Sequence, residues 1–137
     1  MKFRGAAGQG MKTAMKPIPA GHSNVMEFTP EERHTASVVG NAEVVSTPAL
    51  IGFLEQTSHR AILPFVEEGE VSVGTRVEVD HLAAAYLGRP VAATASVAGT
   101  EGRRVTFEVE VHQGDKLVMK GRHVRAIVSR DRLLVRR

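Results

Sequence analysis

The chain has 137 residues, enough for one domain with a substantial core, and its 42% hydrophobic and 24% charged residues are ordinary for a globular protein. It has no cysteine, which excludes a disulfide, a thiolate nucleophile and a cysteine metal site, and which fits a reducing compartment such as the cytoplasm. No apolar run reaches 18 residues, so neither a membrane-spanning helix nor a membrane partner is expected.

The net charge of +3 originates in the N-terminal segment. Four of the 18 basic residues lie in the first 26 positions, which hold no acid, whereas the remainder is nearly balanced. With one Tyr, five Phe and no Trp, the chain also has few aromatic side chains on which bases can stack. These features argue against a nucleic-acid partner.

Residues 1–24 predict a disordered leader, and residues 25–137 predict a single domain. The leader is rich in Gly, Ala, Lys and Pro, shows no apolar periodicity and lacks the apolar stretch of a secretory signal. Residues 25–28 predict a short strand. The sequence TPEE that follows either begins a helical turn or leads into a segment at 34–39 that joins a sheet edge.

Residues 46–63 predict one long helix that carries a carboxylate on, or at the edge of, its apolar side. Ser46 or Thr47 can cap the helix, and Pro48 suits its first position. A single stripe of a 3.6-residue helix contains Ile51, Glu55, Ser58 and Ile62. A carboxylate in that position needs a partner, because burying it unpaired is costly.

After the helix the hydrophobic period changes to two, which predicts strands. Residues 71–82 alternate so that the odd positions, ending with His81, face inward. Further strands are predicted at 91–98, 104–112 and 116–129. One long helix followed by antiparallel strands is an α+β layout, and it is the layout of the hotdog fold, in which a curved antiparallel sheet wraps a central helix. Uncovered strand edges predict a homodimer.

The region 25–130 resembles the fluoroacetyl-CoA thioesterase type of hotdog protein. The resemblance is carried by the sequences EVVST at 43–47, GFLE at 52–55, RA at 60–61 and EGRR at 101–104, and by Pro64, Glu67, Gly69, Glu70, Gly74, Thr75, His81, Gly121, Arg125 and Ala126. The combination of Thr47, Glu55 and His81 at these spacings is its most specific part.

The resemblance implies a catalytic set of Thr47, Glu55 and His81, with Gly74 and Arg125 as substrate-binding helpers near the thioester. It implies an acyl-CoA substrate, so that coenzyme A enters as part of the substrate and no separate cofactor is expected. Aromatic residues close the acyl pocket of that family just before the threonine, whereas residues 38–42 here read VVGNA. The fluoroacetyl group itself is therefore not predicted as the substrate.

Thioester hydrolysis needs an attacking oxygen, a proton acceptor and donors for the oxyanion. The threonine and the carboxylate of the helix, the strand histidine and the helix N-terminus can supply them. Attack by Thr47, an anhydride on Glu55 and attack by water all remain open at this point.

Each of these residues also has a plainer interpretation. Thr47 can be a simple helix cap, Glu55 can pair with a surface base, and His81 can be a satisfied histidine at a strand end. Gly74 can serve a bulge or tight packing, and Arg125 can form a salt bridge with a sheet glutamate.

Other functions stay open as well. The main alternative is a non-catalytic acyl-CoA binding or sensing module on the same fold, and a purely structural dimerisation domain is another. A hydratase is disfavoured, because the pattern of Asp followed five residues later by His is absent. The other histidines lack metal-ligand spacing, so no metal is predicted. Four basic residues can meet coenzyme A phosphates or form a solvated strand face: Arg103, Arg104, Lys120 and Arg122.

Overall fold

The computed structural model describes residues 16–36 and 43–135. The principal elements are β1 (Ser23–Phe28), a 3₁₀ turn (Glu32–His34), α1 (Thr47–Ile62), a second 3₁₀ turn (Leu63–Phe65), β2 (Glu70–His81), β3 (Val91–Glu101), β4 (Arg104–Gln113), β5 (Lys116–Ser129) and α2 (Arg130–Leu133). The predicted long helix and the strands that follow it are confirmed within a few residues at their ends.

The strands form one antiparallel sheet in the order β1-β3-β4-β5-β2, with α1 packed against one face. The core lies between the helix and the inward residues of β3, β4 and β5, several of which, such as Phe107 and Val111, are fully buried. The predicted α+β architecture is therefore confirmed. Among the described residues β1 and β2 are the two edge strands, and β2 carries two of the predicted site residues, Gly74 and His81.

The N-terminus of α1 is capped by Ser46, whose Oγ accepts a hydrogen bond from the Ala49 N–H at 3.2 Å. Pro48 occupies the first turn, where its missing N–H costs nothing. The side of the helix that faces the sheet buries Leu50, Phe53, Leu54, Thr57, Ser58, Ala61 and Ile62. Glu55 lies beside this buried face, as its position in the helical stripe predicted.

Part of the predicted leader is bonded to the domain. The Lys16 N–H donates to the carbonyl of Phe65 at 3.1 Å, and the Gly21 N–H donates to the carbonyl of Val97 at 2.9 Å. β1 itself begins at Ser23. Residues 16–24, which the sequence assigned to the leader, therefore include backbone contacts with the domain, while residues 1–15 lie outside the described part.

A bulge interrupts the ladder between β2 and β5. The register shifts between Gly74 and Arg76, which leaves Thr75 as an extra residue on β2. The Thr75 hydroxyl donates to the carbonyl of Val124 at 3.2 Å and so ties the bulge to the neighbouring strand.

The bulge reverses which positions of β2 face the helix. Before it, Ser72 and Gly74 face inward, since they pair with inward residues of β5; after it, the odd positions through His81 do so. The predicted inward position of His81 is thus confirmed. The predicted inward positions of Val71 and Val73 are wrong, because the extra residue shifts the alternation by one.

Candidate active site

Thr47 and His81 meet at the mouth of α1. Thr47 Oγ1 lies 2.7 Å from His81 Nδ1, so a hydroxyl and an imidazole share a hydrogen bond. Because Ser46 performs the capping, the Thr47 hydroxyl is available for this contact, and the plain-cap interpretation of Thr47 is wrong. Both side chains are exposed and sit at the positive end of the helix dipole.

Glu55 lies in a different place, beside Gly74 and Arg125. Its Oε2 is 3.9 Å from Arg125 Nη1, and the Glu55 side chain is 44% exposed whereas that of Arg125 is only 8% exposed. A Cβ on Gly74 would lie 2.6 Å from the same Oε2, so the glycine makes room for the carboxylate. The acidic partner of Arg125 is therefore a helix residue and not a sheet glutamate.

These two groups are separated within the chain. Glu55 follows Thr47 by eight residues, which is about 12 Å along a helix axis. Gly74 precedes His81 by six ladder positions, Thr75 being an extra residue, which is about 20 Å along an extended strand. The three residues of the implied catalytic set therefore do not lie together within one chain. We name the two groups the hydroxyl–imidazole half (Thr47, His81) and the carboxylate half (Glu55, Gly74, Arg125).

Ser72 and His123, which the sequence did not single out as site residues, hold Arg125 in the carboxylate half. Arg125 Nε donates to Ser72 Oγ at 2.6 Å, and its Nη2 donates to the Ser72 carbonyl at 3.0 Å. Its Nη1 lies 3.2 Å from His123 Nε2, and His123 Nδ1 lies 2.8 Å from the carbonyl of Arg76. The available signal was the spacing of two between His123 and Arg125, which puts both on one face of β5.

The electrostatics of this half follow from burial. Burial lowers the pKa of Arg125 below its ordinary value, and the charge of Glu55 opposes that shift. The pKa of His123 is also lowered, and burial is the largest cause. The charge of Arg125 lowers this pKa further, whereas the hydrogen bond to the Arg76 carbonyl and the charge of Glu55 partly oppose the shift. His123 is therefore neutral near pH 7. The net result is a buried guanidinium beside the carboxylate of Glu55.

His59 lies one helical turn beyond Glu55. Its Nδ1 is buried and has no hydrogen-bond partner among the described residues. Burial lowers the pKa of His59, and the charges of Arg125 and Arg60 lower it further. His59 therefore adds a second neutral imidazole near the carboxylate half.

Several other predicted features lie away from both halves. Arg103 pairs with Glu70 at 3.0 Å and Arg122 pairs with Glu108 at 2.9 Å, so these two cations are engaged in ion pairs of the sheet. A groove of about 510 Å³ lies on the other flank of α1 and includes none of the five predicted site residues. Residues 38–42, where the aromatic residues of the acyl pocket are missing, lie outside the described part.

Within residues 16–36 and 43–135, no cluster of three or more His, Cys, Asp or Glu side chains has a geometry that could hold a metal ion. None of the helices in the same ranges combines the length and the apolar character that crossing a bilayer requires.

Comparison with known proteins identifies the family of the chain. The family model of fluoroacetyl-CoA-specific thioesterases (FlK) matches residues 29–131. The fluoroacetyl-CoA thioesterase of Streptantibioticus cattleyicolor is 34% identical over 111 residues, which cover 81% of this chain and 78% of that protein.

Solved structures give the same result for the fold. A point mutant of the fluoroacetyl-CoA-specific thioesterase FlK, crystallised with fluoroacetate and CoA, superposes with a TM-score of 0.80 at 29% identity, covering 85% of this chain and 99% of that one. A hot-dog-like protein from Thermanaerovibrio acidaminovorans superposes with a TM-score of 0.78 at 32% identity, covering 85% and 87%. The predicted hotdog fold is confirmed by these similarities.

Proposed function

Because the chain belongs to the family of fluoroacetyl-CoA-specific thioesterases, we propose that it hydrolyses the thioester of a short-chain acyl-CoA as a homodimer, with Thr47, Glu55 and His81 as the catalytic set. Coenzyme A takes part only as a portion of the substrate, and the reaction needs no separate cofactor. The observation that carries the proposal is the 2.7 Å contact between Thr47 Oγ1 and His81 Nδ1 at the N-terminus of the buried helix.

The hydroxyl–imidazole half suits the first step of hydrolysis. The Thr47 oxygen, or a water held by it, adds to the thioester carbonyl while His81 takes the proton. The developing oxyanion is stabilised by the positive end of the α1 dipole. The C–S bond then breaks, and His81 returns the proton to the departing sulfur of coenzyme A.

The carboxylate half suits the delivery of water. Glu55 lies 3.9 Å from the Arg125 guanidinium, and a carboxylate held in this way can accept a proton from water as a general base. If Thr47 has taken the acyl group, this water releases it as a carboxylic acid. Gly74 supports this role because only a residue without Cβ leaves the carboxylate in place.

A second copy of the chain would bring the two halves together. The free edge of β2 offers unpaired backbone groups for antiparallel pairing with the same strand of a partner. If that pairing is centred on Glu78, Gly74 lies opposite the partner's His81, because Thr75 is an extra residue and each of the two then lies three ladder positions from the centre. Val77 faces inward next to this centre and is 39% exposed in the single protomer, which supports burial there by a partner.

The proposal is tested with a panel of short-chain acyl-CoAs and a free-thiol assay. We expect release of coenzyme A, and we expect Thr47→Ala, Glu55→Gln and His81→Ala each to lower kcat/KM about 10²–10⁴-fold. Matched controls are His112→Ala and Glu101→Gln, since both side chains lie away from the two halves; these should keep the wild-type rate. Saturable acyl-CoA binding without thiol release would overturn the enzyme assignment in favour of a binding module, and neither binding nor release would favour a dimerisation domain.

A further inference from the structure

Contacts with residues of the sheet orient the Arg125 side chain without the help of Glu55. Two of its three donor nitrogens, Nε and Nη2, are used by Ser72, through the hydroxyl at 2.6 Å and the carbonyl at 3.0 Å. The third, Nη1, contacts the His123 ring at 3.2 Å and lies 3.9 Å from Glu55. Because a guanidinium is planar and rigid, these contacts fix its plane independently of the carboxylate.

The hydrogen bonds of His123 define its tautomer. The Arg76 carbonyl can only accept a hydrogen bond, so His123 Nδ1 must carry the hydrogen that spans the 2.8 Å between them. Arg125 can only donate, so His123 Nε2 must present its lone pair to Nη1. A neutral ring with hydrogen on Nδ1 satisfies both neighbours, whereas a protonated ring would turn a donor toward a guanidinium.

The partner of His123 Nδ1 belongs to the bulge of β2. Arg76 is the residue at which the ladder with β5 resumes after the bulge, and Gly74 is the residue before it. A Cβ on Gly74 would lie 2.6 Å from Glu55 Oε2, 3.2 Å from His123 Cε1 and 3.4 Å from Arg125 Nη1. The His123 ring, which is 1% exposed, therefore contacts the bulge, the Arg125 guanidinium and the position of Gly74 against which the Glu55 carboxylate packs.

From this geometry we infer that His123 is a positioning residue for Glu55: its neutral ring ties Arg125 Nη1 to the bulge carbonyl of Arg76 and thereby fixes the cation against which the carboxylate is aligned. The inference rests on the proposed catalytic role of Glu55. It assigns His123 no contact with substrate, and its effect reaches the reaction only through Arg125 and Glu55.

The test is a double-mutant cycle between His123 and Glu55. His123→Phe keeps the ring volume and its packing against Phe107 but removes both nitrogens. We expect it to lower kcat about 10²-fold, the cost of misplacing a reacting group by about 1 Å, with KM changed much less. In a Glu55→Gln background the same substitution should change kcat by less than about threefold, because the group that it positions is already disabled.

A second variant separates positioning from general damage to the fold. His123→Gln retains one donor and one acceptor and should recover kcat to within about tenfold of the wild type. His112→Phe, the same substitution at a histidine that lies away from both halves, is the matched control and should stay near the wild-type rate. All variants are compared for unfolding temperature, so that a loss of kcat without a matching loss of stability supports the inference.

The outcomes are distinguishable. If Glu55→Gln is impaired but His123→Phe lowers kcat by the same factor in both backgrounds, the positioning role is overturned while the proposed function stands. The same holds if His123→Gln is as slow as His123→Phe. If Glu55→Gln keeps the wild-type rate, the proposed role of Glu55 fails, and the positioning role fails with it.

Discussion

Two inactive variants should restore activity to each other if every active site is shared between protomers. Thr47→Ala damages the hydroxyl–imidazole half, and Glu55→Gln damages the carboxylate half. In a mixed dimer of these two variants, one composite site carries both lesions and the other carries none. Random exchange of equal amounts makes half of the dimers mixed, so about one quarter of the wild-type activity should return. Each parent alone should stay at or below about one hundredth of that activity.

The assay measures thiol release from an acyl-CoA before and after subunit exchange. Co-expression of the two variants with different affinity tags and purification through both tags gives the mixed dimer alone, which should reach about half of the wild-type rate. The matched control mixes Thr47→Ala with His81→Ala. Both lesions then fall in the same half, so no mixed dimer contains an intact site and no activity should return.

Two results would refute this reasoning. A purified Thr47→Ala and Glu55→Gln dimer that is no faster than its parents would show that each site lies within one protomer or that the halves do not cooperate. Equal recovery in the control pair would show that the mixture restores folding and not a site. Either result would remove the composite arrangement and leave the separation between the two halves without a catalytic explanation.

Three further predictions concern single residues. Gly74→Ala should lower kcat/KM at least about tenfold, since the new Cβ would displace a carboxylate oxygen that lies 2.6 Å from it, while the unfolding free energy stays within about 1 kcal/mol. An unchanged kcat/KM, or a loss of rate that is accompanied by a large loss of unfolding free energy, would contradict this. Ser46→Ala should lower the free energy of unfolding in urea by about 1 kcal/mol, through loss of the cap, and keep most of the activity. Thr47→Ala should keep most of the stability and lose most of the activity. If both variants lost stability and activity to the same extent, the division of roles would be contradicted. Burial lowers the pKa of His123 below 6.5, so the unfolded chain takes up this proton first, and the unfolding free energy should fall as the pH drops below 6.5, by at most about 1.4 kcal/mol per pH unit from this group. His123→Gln should flatten that slope, and an unchanged slope in chemical denaturation at several pH values would count against it.

Local signals in the sequence were sufficient for the elements. Pro48 and Ser46 mark the start of α1, and the change of period after residue 63 marks the start of the strands. The inward position of His81 also followed from alternation. The same alternation failed for Val71 and Val73, because a bulge adds one residue to one strand and leaves no regular trace in the hydrophobic pattern.

The site was predicted less completely than the fold. Helical periodicity places Glu55 beside the buried face, and its separation from Thr47, eight residues or about 12 Å along the axis, also follows from the sequence. The position of His81 relative to Glu55 does not, because it depends on the register of the sheet. The role of His123 was missed for a related reason. Its importance comes from hydrogen bonds across strands, to Arg125 and to the Arg76 carbonyl, and such partners depend on register, which the sequence alone left undetermined.

The extra residue at Thr75 sets the phase between Gly74 and His81. With the bulge, a separation of seven residues puts both on the same side of the sheet, and without Thr75 a regular ladder with a separation of six would do the same. Losing or gaining one residue elsewhere between them, with the bulge retained, would turn the two to opposite sides. Adding or removing residues in the loops at either end of β2 would leave the phase intact. Natural or designed variation in the length of this protein should therefore accumulate in those loops.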